Sequence, residues 1–402
     1  MKRNSSIITI VLVLALVAAA TAGATGVQEV EEGSAPEAPD PTTVAGLVAT
    51  GEPIGEVARN ATGFEAVRSG RITVVTVTRP WQAATDDDAL TYVLYPRDSQ
   101  RPEVEDADLV VPVPVESIVS MSTTFLPHLT AIDELESLVA VDSVAYAYSP
   151  QVHNMHDEGS IMEVGSGPNV DIERLLALDA DIIMVNSYDG DRDAQPVLEE
   201  AGLPVVVSGD WAETSPLGRA EWILFTALFY GELESALDLY AQIERDYNRL
   251  TALASDTTGR PTVLANAPYQ GTWAVPGGAS YAAQFIEDAG GSYVWADDDS
   301  TGALFFDIES VYAEAGDADA WINTGTWSSL DQAAAEDERF TNFAAFENGM
   351  LFNNNRRMGP GGGNDYFESG ALNPHIILND LIWALHPEAV PDYEPYYYQR
   401  LR

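Results

Sequence analysis

The sequence predicts an α/β protein of two lobes, each with a mainly parallel sheet flanked by helices, joined by one long helix and leaving a ligand cleft between them. Three observations carry that expectation. Short all-apolar runs alternate with helical segments, as in parallel strands covered on both faces. The alternation occurs twice, in two series on one plan, and a single long amphipathic segment stands between them. At 402 residues the chain is long enough to bury two sizeable cores.

Taken in order, Lys2 and Arg3, the apolar run Ile7 to Ala20 and the small residues to Ala24 have the three regions of a secretory signal, so residues 1–24 are expected to be a signal peptide. Cleavage after Ala22 or Ala24 would release a soluble periplasmic or secreted protein. Residues 25–65 begin small, acidic and proline-containing and are expected to form a disordered or irregular linker. The N-terminal lobe is assigned to residues 66–231. Ile72 to Thr78 and Leu90 to Tyr95 alternate as a β-hairpin should, a pair added to the edge of a sheet. Short strands follow at Ser117 to Met121, Leu138 to Val144, Ile182 to Val185 and Pro204 to Val207. Gly165 to Asn186 shows the building unit: a Gly/Pro turn, a helix with Ile172, Leu175, Leu176 and Leu178 at helical spacing, then a buried strand. Residues 232–257 are the connecting helix, with Leu237, Tyr240, Ile243, Tyr247 and Leu250 in steps of three and four. The C-terminal lobe, 258–402, repeats the plan from Thr262-Val-Leu-Ala-Asn to the helix Pro374 to Leu385.

Several of these stretches together resemble the class III periplasmic solute-binding proteins of ABC importers, the receptors for ferric siderophores, haem and vitamin B12. Pro168, Asn169, Ile172, Glu173, Ala177, Leu178, Asp181, Ile182 and Ile183 fall on a pattern of that family. The others, in the family's order, are VPVPVESIVSMSTT from Val111, SPLGRAEWI from Ser215, VPGGASYAAQFIEDAGGSYVWADD from Val275 and GGGNDYFESGALNPHIILNDLIWALHPE from Gly361. The resemblance implies capture of an iron complex, a ferric siderophore or haem, and its delivery to an inner-membrane permease with its ATPase, cobalamin being the alternative ligand. It further implies that Glu173 and Glu287, one on the outer face of each lobe, dock on permease arginines. After SMSTT the chain departs from many relatives, with Pro127 and His128 where they carry a glutamate. Lipid anchoring through a cysteine, common in the family, is excluded because there is no cysteine; disulfides and thiolate metal sites go with it.

Composition narrows the partners. The formal charge of -44 argues against nucleic acid and fits a surface adapted to high salt, and Lys2 is the only lysine. Open parallel sheets bind ligands beyond the carboxyl ends of their strands. Residues there include Tyr146, Tyr148, Tyr188 and Trp211 in the first lobe, and Tyr269, Trp273, Trp327, Arg356 and Arg357 in the second. Aromatics in that position suit a flat macrocycle or chelate, and the arginine forks an anionic one. His153 and His156, in HNMHDE, are read as loop histidines rather than iron ligands, and no resident metal or cofactor is expected. An enzyme is not expected either: Ser122 with His128 lacks a third partner, there is no Gly-x-Ser-x-Gly elbow, and GGGNDY lacks the Lys-Ser/Thr of a phosphate loop. A secreted two-lobed enzyme is the contrasting alternative. A monomer is expected.

Overall fold

Both cores share one rod. The computed structural model describes residues 40–55, 57–188 and 193–402, and its long helix runs from Leu233 to Ser255, about 35 Å at 1.5 Å per residue. Ala236, Tyr240 and Ile243 join the N-terminal core, whereas Tyr247, Leu250 and Ala254 join the C-terminal one. Any turning of the lobes therefore has to bend this helix or repack a core.

The N-terminal lobe holds two five-stranded sheets. The first comprises β1 (Glu52–Pro53), β2 (Phe64–Ser69), β3 (Ile72–Val77), β4 (Leu90–Pro96) and β5 (Leu109–Val113), neighbours in that order and antiparallel except for β4 with β5. The predicted hairpin is present, with Thr73 opposite Leu94, but it lies in a sheet of its own rather than on the edge of the parallel one. Alternation sets the faces: Val75, Val77, Tyr92 and Leu94 point into the main core, while Val74 and Val93 pack with Leu47 of the helix Val44–Thr50.

That helix corrects the expected irregular linker. Among the described residues from Val44 onward the stretch is structured, because Leu47, Ala61 and Phe64 are buried. Two buried carboxylates fix it further: Glu221 accepts hydrogen bonds from the backbone N–H groups of Arg59, Asn60 and Ala61, and Glu213 from those of Thr62 and Gly63. A seven-residue helix and bonds to residues some 150 positions away leave no periodic signal in sequence. The expected signal peptide, and the linker up to residue 39, lie outside the described residues.

The second sheet is fully parallel. It contains β6 (Ile118–Ser120), β7 (Leu138–Val141), β8 (Met162–Glu163), β9 (Ile182–Asn186) and β10 (Val205–Ser208), in the order β10-β9-β6-β7-β8. Ile182, Met184 and Val206 face the main core, and Ile183, Val185, Val205 and Val207 face the outer layer with Leu175 and Leu198. The helix Pro216–Tyr230 covers the inner face and is buried nearly all round, as befits its lack of a polar side. Its entry is capped by Ser215, whose side chain accepts from the Gly218 N–H.

In the C-terminal lobe the strands are β11 (Thr262–Ala265), β12 (Trp273–Pro276), β13 (Ser292–Tyr293), β14 (Ala303–Phe306), β15 (Ala320–Ile322), β16 (Leu351–Asn353) and β17 (Gln399–Arg400). β12 and β14 pair with each other, antiparallel. The other five form a sheet in the order β13-β11-β15-β16-β17, parallel except for β17. In both lobes the chain leaves a central strand first to one side and then to the other, β6 between β7 and β9, β11 between β13 and β15. Loops diverge at such a switch point and leave a crevice beyond the strand ends.

Candidate functional site

The crevice is a cleft of about 940 Å³ bordered by both lobes, large enough for a chelate or macrocycle. Thr123 beyond β6 and Tyr146 beyond β7 line it from the N-terminal side. From the other lobe come Asn266 after β11, Asn323 after β15, Asn354 after β16, Tyr281 at the start of the helix Tyr281–Asp288, and the loop carrying Met358, Asn364 and Phe367. Both switch points thus open into one space.

Of the nine ligand-binding residues expected from sequence, only Tyr146 is among those that line this cleft. Tyr188, exposed, and Trp211 form a ring pair 4.5 Å apart beyond β9 and β10, and Trp211 donates to the Ser187 carbonyl at 3.0 Å. Tyr269 is 77 % exposed on a tight turn closed by its backbone pairing with Thr272. Arg356 is exposed.

Four expectations need correction. Trp273 is the first residue of β12, 0 % exposed, stacked on Trp321 with centroids 5.2 Å apart; Trp327 is 3 % exposed and meets the same ring edge-on. With Phe340 and Phe343 they form the core beneath the sheet, where large apolar rings gain most from leaving water. Arg357 does not present a free fork to an anion. Its Nε donates to Asp365 at 2.5 Å, and its guanidinium lies 4.9 Å from the Tyr148 ring centre and 4.0 Å from that of Tyr396. Tyr148 is thereby a partner of Arg357, not a platform in the cleft.

One flank of the cleft is a backbone-to-backbone seam between the lobes. A Cβ placed on Gly361 would meet Ala145 Cα at 2.6 Å, and one on Gly363 would meet the Tyr146 carbonyl oxygen at 2.4 Å. Glycine is what lets this loop lie against the segment that carries Tyr146. Just beyond it Glu368, 4 % exposed, accepts from the N–H groups of Tyr148 at 2.6 Å and Ser149 at 3.0 Å. These open the helix Pro150–Asp157, whose N-terminus favours negative charge. Burial nevertheless pushes the Glu368 carboxyl up to about 7, against the pull of those two bonds.

Sequence reasoning missed Glu368, the lining asparagines and Arg219. Arg219 lies behind the cleft wall, its Nε 3.4 Å from Asp210 Oδ2 and its guanidinium 5.3 Å from the ring of Tyr281. A lone basic residue early in a mostly apolar helix was the available signal. Metal chemistry finds little to use: His128 faces Thr226 at 3.0 Å and burial pushes it down to about 3, and His153 bonds the Ala147 carbonyl at 2.9 Å. Among the described residues no group of three metal-ligating side chains occurs.

Two lobes on one rod, with a crevice where their switch points face each other, define a two-lobed solute-binding protein. The family model described as "Periplasmic binding protein" matches residues 118–354, more than half the chain, and the chain belongs to that family, the extracytoplasmic solute-binding components of ABC transporters. It is 27 % identical over 290 residues to an uncharacterized lipoprotein of Methanocaldococcus jannaschii, covering 70 % of this chain and 67 % of that one. Solved structures share the fold. One, an ABC-type Fe3+-hydroxamate transport system from Saccharomonospora viridis, has a TM-score of 0.53 at 17 % identity over 67 % of this chain and 93 % of its own. A periplasmic heme binding protein from Pseudomonas aeruginosa gives 0.50 at 20 % over 70 % and 95 %, and a periplasmic vitamin B12 binding protein of Vibrio cholerae 0.51 at 15 % over 69 % and 98 %. Among the described residues no helix is long and apolar enough to cross a membrane.

Proposed function

We propose that the protein captures a bulky metal complex, a ferric siderophore, haem or a cobalamin-type macrocycle, in the cleft between its lobes and presents it to an ABC permease and its ATPase. The observation that carries this reading is the 940 Å³ cleft at the facing switch points, with Tyr146 on one side and Phe367 and Met358 on the other. Rigid rings give wide contact area at small entropic cost. The solved neighbours include a hydroxamate-transport, a heme-binding and a vitamin B12-binding protein, which supports the same ligand class. The shared rod and the glycine seam leave the site largely formed before binding. In this reading Glu173, exposed on the helix Ile172–Leu178, and Glu287, on the helix Tyr281–Asp288 and 3.5 Å from Arg260, meet arginines of the permease.

The test is a binding panel of ferric siderophores, haemin and cobalamin, read by intrinsic fluorescence and melting temperature. One member should bind at micromolar or tighter concentration, and Glu173→Ala with Glu287→Ala should leave that binding intact while abolishing ligand-dependent stimulation of the reconstituted permease's ATPase. A panel that changes neither readout contradicts the ligand class.

A further inference from the structure

The lining of the cleft is uncharged. In a chain in which 20 % of residues carry charge, about four of the nineteen lining positions would be expected to, and none is Asp, Glu, Lys, Arg or His. Five are asparagines: Asn266, Asn323, Asn354, Asn355 and Asn364.

Three of the asparagines end three adjacent parallel strands. Asn266 follows β11, Asn323 follows β15 and Asn354 follows β16. Asn266 and Asn323 share a left-handed backbone, with φ of 65° and 57°, a conformation asparagine tolerates better than other residues bearing a Cβ. The repeated kink sets a row of amides along the C-terminal edge of the sheet.

Hydrogen bonding within the protein holds these amides and leaves part of each unused. Asn266 donates its Nδ2 to the Ala274 carbonyl at 2.8 Å, which leaves its Oδ1 as an acceptor. Asn323 Oδ1 accepts from Tyr398 Oη at 2.6 Å, which leaves its Nδ2 as a donor. Asn364 Oδ1 accepts from the Tyr366 N–H at 3.0 Å, which again leaves the Nδ2. Asn355 is fully engaged, by Trp327 and Gln399. Asn354 is 6 % exposed, and its side-chain amide has no hydrogen-bond partner among the described residues. Its polar atoms are not among the buried unpaired ones, so the whole amide is open to what occupies the cleft.

Arg356 is exposed and not among the lining residues, and the two other arginines beside the cleft are already committed. Arg357 is held by Asp365 between Tyr148 and Tyr396, and Arg219 by Asp210 behind Tyr281. An anionic chelate in this cleft would lose its hydration without a counter-charge in the lining.

Resting on the function proposed above, we propose that the cleft selects electroneutral chelates whose rims carry amide-type carbonyl and N–H groups, whether hydroxamate arms or carboxamide side chains, and that Asn323, Asn354 and Asn364 read that rim. Anionic chelates are disfavoured by the same surface.

The experiment is calorimetric titration of the full chain with four probes: a neutral ferric trihydroxamate, cyanocobalamin, haemin and a triply anionic ferric tris-catecholate. It is run in 1 M salt, where the Debye length is about 3 Å, so that the net charge of the whole protein does not decide the outcome. One of the two neutral probes should bind, and which one separates hydroxamate from carboxamide as the source. The anionic probes should bind at least about 100-fold more weakly. Asn354→Asp and Asn323→Asp, whose folding is checked by melting temperature, should each weaken the neutral probe about tenfold, and Asn364→Asp serves if either fails to fold. Equal or tighter binding of haemin or the catecholate overturns the charge selection while leaving the proposed function standing, as does neutral-probe binding that ignores all three substitutions. Binding of none of the four overturns the proposed function, and this inference with it.

Discussion

Glu368 of the C-terminal lobe accepts a hydrogen bond of 2.6 Å from the backbone N–H of Tyr148 in the N-terminal lobe. The bond joins the glycine loop to the segment that supplies Tyr146, so the geometry of one cleft wall depends on a buried carboxyl group.

That carboxyl makes stability depend on pH. Burial raises it to about 7 from an ordinary value of 4.5, so the folded protein holds this proton more tightly than the unfolded chain does. Its contribution is fully present below about pH 4.5 and is lost as pH rises through about 7, a difference on the order of 3 kcal/mol at most. Urea unfolding in 1 M salt should show wild type losing stability from pH 5 to 8 relative to Glu368→Gln. Parallel pH profiles for the two proteins would contradict the assignment.

The seam predicts a sharp contrast among glycines. Gly361→Ala and Gly363→Ala force a Cβ into Ala145 and Tyr146 backbone, and each should cost about 1–3 kcal/mol and alter the near-ultraviolet signal of the cleft tyrosines. Gly55→Ala, which meets nothing within 4 Å, should leave the unfolding midpoint in place. Equal effects at all three positions would show that the seam does not hold the lobes together.

The buried tryptophans are structural. Trp273→Ala or Trp327→Ala should destabilise the protein by about 3–5 kcal/mol, whereas Tyr146→Ala, at an exposed ring, should leave the unfolding midpoint nearly unchanged and weaken ligand binding. A stable Trp273→Ala protein that has lost binding would restore that residue to the site.

Salt should stabilise the fold. With a formal charge of -44, self-repulsion is strong in dilute buffer and is screened as the Debye length falls from about 10 Å at 0.1 M to about 3 Å at 1 M. The melting temperature should therefore rise steadily with sodium chloride, and a flat or falling curve would contradict an acid-adapted surface.

Much of the scaffold was legible because it depends on local order. The helix Pro374–Leu385 was read to the residue, and the connecting helix within one position at its start and two at its end, since apolar spacing and proline mark such elements. The site was less legible. Position after a strand gives a residue's place in the chain but not the direction of its side chain, and Trp273, taken for a loop residue, starts a strand that turns it inward. Arg357 looked free because its partner Asp365 lies eight residues on, across a turn, and Glu368 was silent because its partners lie about 220 residues away. The asparagines were present in plain form, ending or following three strands in TVLAN, AWIN and LFNNN. Aromatic and charged residues drew the reading away from them, although amides recognise a neutral rim better than either.

The most direct measurement is native mass spectrometry of the protein purified from its own source, wild type beside a Tyr146→Ala, Phe367→Ala double variant. If the cleft holds the solute, wild type carries one noncovalent adduct per chain and the variant has lost it. Bare protein in both preparations, or an adduct that the variant retains, would contradict the account.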